Sequence, residues 1–214
     1  MELRIPRGEF SDIQQSPAVV SLDHFHIRGS EHRPVTTCRL YHGPRAIHLR
    51  FDVQDKFVRC VHKGFQSHVF KDSCVEFFVQ PKPDSGYFNF ETSAGGEMLL
   101  RYIKDPYRDE RGRVMNTRDV TAEEAGGITV RTLLKTPYES VNDEPINWWV
   151  ELSIPIDFLQ NYVGPLADLP GQSWRANFYK CGDKTPMPHF GSWAPIGDKL
   201  EFHQPSKFGT IIFE

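Results

Sequence analysis

The 214-residue sequence predicts an all-β protein, folded as a two-sheet β-sandwich or jelly roll. Three observations support this prediction. Apolar and polar residues alternate in many short segments, helical periodicity is scarce, and turn-forming clusters separate the segments. No shift in composition marks a linker and no internal repeat is visible, so we expect one domain over residues 1–214.

The strands are predicted from alternation, in chain order. AIHLRFDVQD places its apolar residues from Ile47 to Val53 on one face and His48, Arg50 and Asp52 on the other. Further strands are predicted for GYFNFET, GITVRTLL, WWVELSIP, SWRANFYK and GTIIFE. Turn residues stand between them in PKPDSG, SAGGE, DERGR, EEAGG and LADLPG. One short helix is predicted in PIDFLQNYV, beginning after Pro155.

Charge and hydropathy narrow the possible partners. The net charge is −3 and the pI is near 6.3, with Lys and Arg scattered along the chain, which argues against nucleic acid. No apolar run could cross a membrane, and the N-terminal MELRIPRGEFSDIQ lacks the apolar core of a secretory signal. We expect a soluble chain, cytoplasmic as given, or periplasmic or extracellular if a signal was removed.

Four cysteines are too few and too irregularly spaced for a disulfide framework. They are Cys38, Cys60, Cys74 and Cys181. We expect them to be small buried hydrophobic residues.

The segment HVFKDSCVEFFVQP, residues 68–81, combines a strand with unexpected charges. Its second half is apolar enough for a buried strand, yet Lys71, Asp72 and Glu76 lie at or near the start. A chain seldom hides charges without a partner or a function for them. This segment is therefore a candidate part of a functional site.

Familiar local catalytic motifs are missing, although catalytic groups can also meet from distant strands. Carboxylates on strand faces could cleave a glycosidic bond as a pair. The candidates are Asp52, Glu76, Glu91 and Glu151. The simpler interpretation, which we favour, is that they lie on a solvated face or pair with a neighbouring Arg.

Histidines and loop aromatics form two further groups. His24 and His26 would share a strand face and could bind a metal, but no third ligand is evident nearby, so a solvated edge strand is favoured. Several aromatic residues lie near loops, namely Phe57, Phe65, Phe70, Tyr107, Tyr138, Phe190 and Trp193. Trp193 lies in a stretch rich in Pro and Gly, where a large ring either fills a gap or presents a flat face to a ligand.

Six segments in the same order resemble the family 9 carbohydrate-binding modules, and more closely the free-standing family 9-like proteins of polysaccharide-degrading bacteria. The segments are FKDSCVEFFVQP, GYFNFETSAGGEMLL, WWVELSIPIDFL, SWRANFYKCG, SWAP and KFGTIIFE. The resemblance extends from about Thr37 to the C-terminus. Residues 1–35 match poorly and are either an N-terminal extension or the first strands.

The resemblance implies a DOMON-like β-sandwich that binds an oligo- or polysaccharide without catalysis, with structural calcium. Members of the family hold a sugar between two tryptophan rings, while charged and amide side chains bind its hydroxyls. On this basis Trp193 is the expected stacking residue, and Phe65 or Phe70 stands where the other tryptophan would be. Lys71, Glu91 and Ser93 correspond to the polar contacts.

Two departures from the family pattern affect the ligand. Phe in place of Trp shrinks the stacking surface, and Glu91 replaces an Arg that sugar-binding members can carry, which reverses the charge. A different sugar, or a binding face that has drifted from sugar recognition, fits these residues as well as a glucan does.

The charges of the 68–81 segment are interpreted through the same resemblance. Lys71 and Asp72 are expected where the sandwich opens into binding loops, and Glu76 points away from the core or toward Arg59 or Arg175. Arg59 is then a further candidate for ligand binding. Asp72 either binds calcium or caps a turn.

Two other functions are kept as alternatives. One is a glycoside-active enzyme that uses Glu91 and another strand carboxylate. The other is a DOMON-like haem or redox module, which would need axial ligands such as a Met and a His facing each other. Met98, Met115 and Met187 are available for that role.

Overall fold

The computed structural model describes residues 1–8, 16–105, 107–110, 114–140 and 143–214. Within them the chain forms sixteen strands and one α-helix. The strands are β1 Glu2–Ile5, β2 Ala18–Ser21, β3 His24–Phe25, β4 Val35–His42, β5 Ala46–Asp55, β6 Arg59–Cys60, β7 Cys74–Gln80, β8 Tyr87–Ser93, β9 Met98–Ile103, β10 Thr117–Asp119, β11 Thr129–Thr132, β12 Tyr138–Glu139, β13 Ile146–Pro155, β14 Ser173–Cys181, β15 Phe190–Ser192 and β16 Gly209–Phe213. The helix is α1, Ile156–Val163, as predicted.

Two large sheets face each other across the core, which confirms the predicted all-β sandwich. The larger sheet has the order β1-β16-β14-β7-β8-β9-β10, with β15 pairing β14 and β3 pairing β15. The smaller sheet has the order β11-β13-β5-β4-β2, and β6 pairs β12 separately. Each strand predicted by alternation is found, from β5 to β16. The turn predicted at DERGR lies partly outside the described residues.

The first 35 residues contribute strands to both sheets. β1 pairs in parallel with β16, and β3 pairs with β15, both in the larger sheet. β2 pairs antiparallel with β4 in the smaller sheet. The described part of this segment is thus built into the sandwich.

Alternation along the strands fills the space between the sheets. From β7 and β8, Val75, Phe77 and Phe90 enter the core, and from β5 and β13, Phe51 and Trp148 meet them. Because successive side chains point to opposite faces, the other half of each strand lies outside this core. All four cysteines are buried free thiols, as expected. Among the described residues, no helix is long and apolar enough to cross a bilayer.

Charged residues also occupy core-facing positions, where they join the two sheets. Asp55 ends β5 in the phase of its apolar residues, and Lys180 follows Phe178 on β14 in the same way. The Lys180 Nζ lies 3.0 Å from Asp55 Oδ2 and 2.6 Å from His189 Nε2, and His32 Nε2 lies 2.6 Å from Asp55 Oδ1. We call Asp55, Lys180, His32 and His189 the interior ion-pair network.

The hydrogen bonds of the interior ion-pair network fix the state of His189. Its Nδ1 donates to the carbonyl of Met187 at 2.9 Å, so its Nε2 accepts from Lys180. Burial, and then the charge of Lys180, lower the pKa of His189 to about 3. Burial alone would raise the pKa of Asp55, but Lys180 and the hydrogen bond from His32 hold it below its ordinary value. Each charge in this network has a partner of opposite charge.

Candidate functional site

The outer face of the larger sheet carries a cavity of about 870 Å³. Its lining comes from β7 to β10, from β14 and β15, and from the loops that cover them. The lining residues are Phe70, Glu76, Phe78, Glu91, Arg101, Arg108, Val114, Thr117, Asp119, Cys181, Asp183, Phe190, Leu200, Glu201, Phe202 and His203. We call this the outer-face cavity. Its volume lies within the roughly 300–1,000 Å³ typical of small-molecule sites.

Strand register brings two glutamates together in the floor of the outer-face cavity. On β7 the core takes Val75 and Phe77, so Glu76 points to the outer face. Glu91 on β8 is directly opposite Glu76 in the antiparallel pairing. Cross-strand partners of this kind have neighbouring side chains. Glu76, one of the unexpected charges of the 68–81 segment, is therefore one member of a carboxylate pair.

Three partly exposed phenylalanine rings line the same cavity. Phe70 belongs to the short turn Val69–Lys71 before β7, and Phe190 begins β15. The ring of Phe202 is stacked on Tyr179, with centroids 4.1 Å apart and an interplanar angle of 10°. Tyr179 is fully buried on β14, so it holds Phe202 in place.

The polar contacts of the two glutamates are incomplete. The Cys181 thiol donates to Glu76 Oε1 at 3.1 Å, and the Asn89 amide donates to Glu91 Oε1 at 2.6 Å. Glu91 is 6% exposed, and its Oε2 has no hydrogen-bond partner among the described residues. A buried carboxylate oxygen that lacks a hydrogen-bond donor destabilises the folded protein when water is excluded.

Both arginines of the cavity form ion pairs with acids at its rim or in its lining. Arg101 Nε bonds Asp119 Oδ1 at 2.7 Å, and Arg108 bonds Glu201 through two nitrogens at 2.5 Å. Within the part of the chain that the structure describes, no Lys or Arg nitrogen lies within 4.0 Å of Glu76, Glu91 or Asp183. We call these three residues the carboxylate cluster.

Burial dominates the titration of the carboxylate cluster, against longer-range attraction from Arg101 on Glu91 and from Lys184 and Lys71 on Asp183. Burial raises the pKa of Glu91 to about 7, against a hydrogen bond from Asn89 that lowers it. Burial, then Cys181 and Glu91, raise the pKa of Glu76 well above its ordinary value. Burial raises the pKa of Asp183 to about 6. Burial also lowers the pKa of His203 to about 4, so this ring is neutral near pH 7.

Cys74, Glu76 and Cys181 lie close enough together to raise the question of a metal. Their Sγ and carboxylate atoms lie within 4.8 Å of one another, and all three residues are buried. Burial raises the pKa of the Cys74 thiol to about 12, and the Cys181 thiol donates its hydrogen to Glu76. The Cys74 thiol donates to the Val75 carbonyl at 3.6 Å, so the structure shows these residues as hydrogen-bonded side chains.

The expectation that Trp193 is an exposed stacking residue is wrong. Trp193 is 5% exposed and belongs to the main core, where its ring meets Phe178 edge to face at 5.5 Å. The loop was expected to stay on the surface, but β15 pairs with β14 and draws the next residue inward. A Cβ on Gly209 would lie 2.5 Å from the Trp193 ring. The missing side chain of Gly209 therefore leaves the space that the Trp193 ring occupies.

The other residues predicted for the site divide into two groups. Phe70 and Glu91 line the outer-face cavity, and Lys71 lies beside it, with its Nζ 5.8 Å from the Phe70 ring centroid. Phe65 packs on the main core instead, and Ser93 is buried and accepts from the Glu97 amide in a turn. Neither lines the cavity.

Arg59 and Asp72 hold a loop rather than line the cavity. The carboxylate of Asp72 accepts from Arg59 Nη1 at 2.8 Å, from the amides of Val61 and His62, and from His62 Nδ1. Glu76 has neither predicted arginine, since Arg59 pairs with Asp72 and Arg175 donates to the Phe208 carbonyl. That part of the prediction is wrong. Calcium at Asp72 stays a prediction, and an ion there would have to displace these donors.

The remaining sequence candidates lie away from the cavity. Asp52 and Glu151 pair with Arg50 on the outer face of the smaller sheet, at 2.9 and 2.8 Å, as the simpler interpretation predicted. His26 Nε2 contacts the Asp198 carbonyl at 3.0 Å, whereas His24 is exposed. Met98 is buried in the core. The haem alternative remains untested.

Sequence reasoning missed most of the lining contributed by β9, β10 and the later loops. Arg101, Asp183, Phe202 and His203 belong to no motif, and only the fold brings them together. One signal was available in the sequence. Every residue of β7 from Cys74 to Val79 is buried, including the polar one, which is the pattern of a strand covered on both faces.

A second hollow, of about 440 Å³, lies on another part of the surface. It is lined by Gly95, Gly96, Val130, Arg131, Thr132, Lys135 and Trp149. The Trp149 ring is covered by the Arg50 guanidinium, 4.4 Å from its centroid. This arrangement occupies one face of the indole, so the hollow is the weaker candidate for a ligand.

Comparisons with known proteins agree on one family. The sequence model of carbohydrate-binding family 9 matches residues 13–213. A candidate carbohydrate-binding protein from Bacteroides uniformis ATCC 8492 is 30% identical, with a TM-score of 0.85 over 100% of this chain and 99% of its own. Among curated proteins, none matches this chain.

Two further solved structures are similar in fold at lower identity. One is a family 9 module from Caldicellulosiruptor kristjanssonii in complex with glucose, 12% identical, with a TM-score of 0.61 over 100% of this chain and 96% of that one. The other is a module from the same organism in complex with cellotriose, 13% identical, with a TM-score of 0.59 over 100% and 94%.

Proposed function

Since the chain belongs to carbohydrate-binding family 9, we propose that its outer-face cavity binds part of an oligo- or polysaccharide without catalysis. One observation carries the choice of site. Three partly exposed phenylalanine rings share a single cavity with the buried carboxylates of β7 and β8 and with the half-buried Arg101 of β9. Family 9 is a family of non-catalytic binding modules, which agrees with this function.

The chemistry of a pyranose suits this lining. The axial C–H groups of a sugar ring form an apolar face, and its rim is made of hydroxyls. Phe70, Phe190 and Phe202 offer aromatic surface for the face. Glu76, Glu91 and Arg101 offer charge-assisted hydrogen bonds to the rim. The glucose and cellotriose seen in the two family 9 modules are ligands of this general type.

We expect Phe70→Ala to weaken oligosaccharide binding by about tenfold, because an aromatic contact contributes roughly 0.5–1.5 kcal/mol beyond its buried area. Calorimetric titration with cello- and xylo-oligosaccharides measures this, and circular dichroism checks the fold. Trp149→Ala is the matched control, since Trp149 lines the second hollow. If Trp149→Ala abolished binding while Phe70→Ala left it intact, the site would lie in that hollow.

The glycoside-active alternative uses the same carboxylates and is settled in the same titration. Glu76 and Glu91 face each other across β7 and β8, as a catalytic pair could. We expect the oligosaccharides to be recovered uncleaved by chromatography. Shortened products that disappear with Glu91→Gln would instead assign hydrolysis to this cavity.

A further inference from the structure

We propose that Cys74 and Cys181 form a site of reversible oxidation, at which a low-molecular-weight disulfide converts the two thiols into a cross-strand disulfide beside the outer-face cavity. Both cysteines are free thiols in this structure. They are far apart in the sequence, and only the fold brings them together. Oxidation of this pair is independent of the ligand that the cavity binds.

Strand register places the two cysteines directly opposite each other. Cys74 is the first residue of β7 and Cys181 is the last residue of β14, and the two are partners in the antiparallel pairing. Opposite residues of an antiparallel pair have Cα atoms about 4.5 or 5.5 Å apart. Both distances fall within the roughly 4.4–6.8 Å between the Cα atoms of a disulfide. The spacing of the two strands therefore permits the bond.

The two thiols also lie on the same face of the sheet. Val75 and Phe77 enter the core, so Cys74 and Glu76 point to the outer face. The Sγ atoms of Cys74 and Cys181 and a carboxylate oxygen of Glu76 all lie within 4.8 Å of one another. Rotation about the Cα–Cβ bonds, with a small adjustment where the β7–β14 pairing ends, can bring the sulfurs to the roughly 2.05 Å of a disulfide.

The other two cysteines are opposite residues of other types. On β4, Cys38 is opposite Phe51 of β5 and Val20 of β2. On β6, Cys60 is opposite Tyr138 of β12. The register therefore selects one pair among the four thiols, and Cys38 and Cys60 serve as internal controls.

The outer-face cavity gives an oxidant a route to one of the two thiols. Cys181 lines this cavity, whereas Cys74 lies behind it. Both residues are almost completely buried, and burial contributes to raising the pKa of each thiol. The thiolate is the reactive form, so we expect slow oxidation that depends on local opening of the cavity wall and is faster at pH 8 than at pH 7.

The reaction is a thiol–disulfide exchange in two steps, written here for oxidised glutathione. Cys181 loses its proton to the solvent, and its sulfur attacks one sulfur of oxidised glutathione, which releases one glutathione thiolate and leaves a mixed disulfide on Cys181. Cys74 then loses its proton, and its sulfur attacks the Cys181 sulfur and releases the second glutathione. Two protein thiols are oxidised, and one oxidised glutathione is reduced to two glutathione molecules.

Oxidation changes both the cavity and the stability of the chain. In the reduced protein the Cys181 thiol donates to Glu76 Oε1 at 3.1 Å. A disulfide sulfur carries no hydrogen, so Glu76 loses this donor in the floor of the cavity. The new bond also closes the chain between residues 74 and 181, and a long closed loop lowers the entropy of the unfolded state.

The test counts and locates free thiols by mass spectrometry. The protein is incubated with oxidised glutathione at pH 8, and a second sample is refolded from urea in a mixture of reduced and oxidised glutathione, which gives buried thiols access to the oxidant. Both samples are then denatured and alkylated. We expect the free thiols to fall from four to two, with Cys74 and Cys181 recovered in one disulfide-linked peptide. Dithiothreitol should restore four.

Two variants and a stability measurement sharpen the assignment. Cys181→Ala should keep its three remaining thiols free of protein disulfides, whereas the matched control Cys38→Ala should form the pair and keep one free thiol. Oxidation should raise the urea midpoint of the parent by about 1 M and leave that of Cys181→Ala unchanged. Peptide mapping of the parent decides the question if a variant does not fold.

Three results overturn the proposal. The first is a parent protein with four free thiols after both treatments. The second is a disulfide that involves Cys38 or Cys60, or glutathione that stays on Cys181 without transfer to Cys74. The third is zinc that remains bound to the purified parent and is lost from Cys181→Ala, which assigns the thiols to a metal. None of these results bears on saccharide binding, which the titrations described above test separately.

Discussion

Two buried groups of charged residues in this protein differ in how their charges are matched. The interior ion-pair network, between the sheets, places Lys180 against Asp55 with His32 and His189 as further partners. The carboxylate cluster of the outer-face cavity places Glu76 opposite Glu91, and among the described residues no Lys or Arg nitrogen lies within 4.0 Å of either carboxylate. Lys180 of the first group and both glutamates of the second lie on strands of the larger sheet, whereas Asp55 lies on β5 of the smaller one.

The contrast is between charges that contact a partner of opposite sign inside the fold and buried acids that do not. A buried ion pair is stable when its partners bond each other and their remaining groups are satisfied. In the interior network the opposite charges are in contact, with Lys180 Nζ 3.0 Å from Asp55 Oδ2, although this oxygen accepts no hydrogen bond of good geometry from the described residues. The carboxylate cluster has no such contact within the described chain, so it favours protonated acids and raised pKa values. Incomplete matching of this kind is common at functional sites.

The largest expected effect is from breaking the interior ion-pair network. Lys180→Met leaves Asp55 buried without its cation and should lower the free energy of unfolding by about 3–5 kcal/mol. Urea denaturation at pH 7 measures this. The double variant Lys180→Met with Asp55→Leu removes both charges and should be more stable than the single variant. A single variant as stable as the parent would show that the network is not balanced as described.

A smaller effect, with a distinctive pH dependence, is expected for Glu91→Gln. Between about pH 4.5 and 7 the folded parent binds more protons at Glu91 than the unfolded chain, so its stability falls as pH rises. Glutamine removes this titration. The variant should match the parent near pH 4 and exceed it by about 1–3 kcal/mol at pH 8.

Urea midpoints collected from pH 4 to pH 8 measure the difference between Glu91→Gln and its parent. His189 contributes the opposite slope in both proteins, because its pKa is lowered and the unfolded chain takes up the proton first as pH falls. A constant offset at all pH values would contradict the assignment of a raised pKa to Glu91.

The sandwich could be predicted from the sequence because the alternation of apolar and polar residues along a strand shows which face of the strand is buried. β5 coincides with AIHLRFDVQD, and α1 begins after Pro155. The same alternation contained a signal for the interior ion-pair network. Asp55 and Lys180 each occupy the core phase of a strand, where an unpartnered charge would be costly. Two such charges on separate strands indicate that they pair.

The candidate site was harder to predict because it lies on the second face of an already buried strand. Phe70 and Glu91 were identified through family resemblance, whereas Phe202 and Asp183 come from loops with no motif. Trp193 was misplaced because its burial depends on two distant features, the pairing of β15 with β14 and the missing side chain of Gly209. Neither contact is local in sequence, and residue type alone favours neither outcome.

The smallest expected effect is at the rim of the outer-face cavity, where an ion pair is exposed. Arg101 and Asp119 are joined at 2.7 Å, a shorter distance than the 3.0 Å between Lys180 and Asp55, but the Asp119 side chain is 64% exposed. Asp119→Asn should change the free energy of unfolding by less than about 1 kcal/mol, because water screens the pair and solvates the arginine that remains. Urea denaturation under the conditions used for Lys180→Met gives a direct comparison. Suppose that Asp119→Asn lowered the free energy of unfolding as much as Lys180→Met does. Distance, and not burial, would then set the strength of these ion pairs. The contrast between the interior network and the cavity, which rests on burial, would no longer hold.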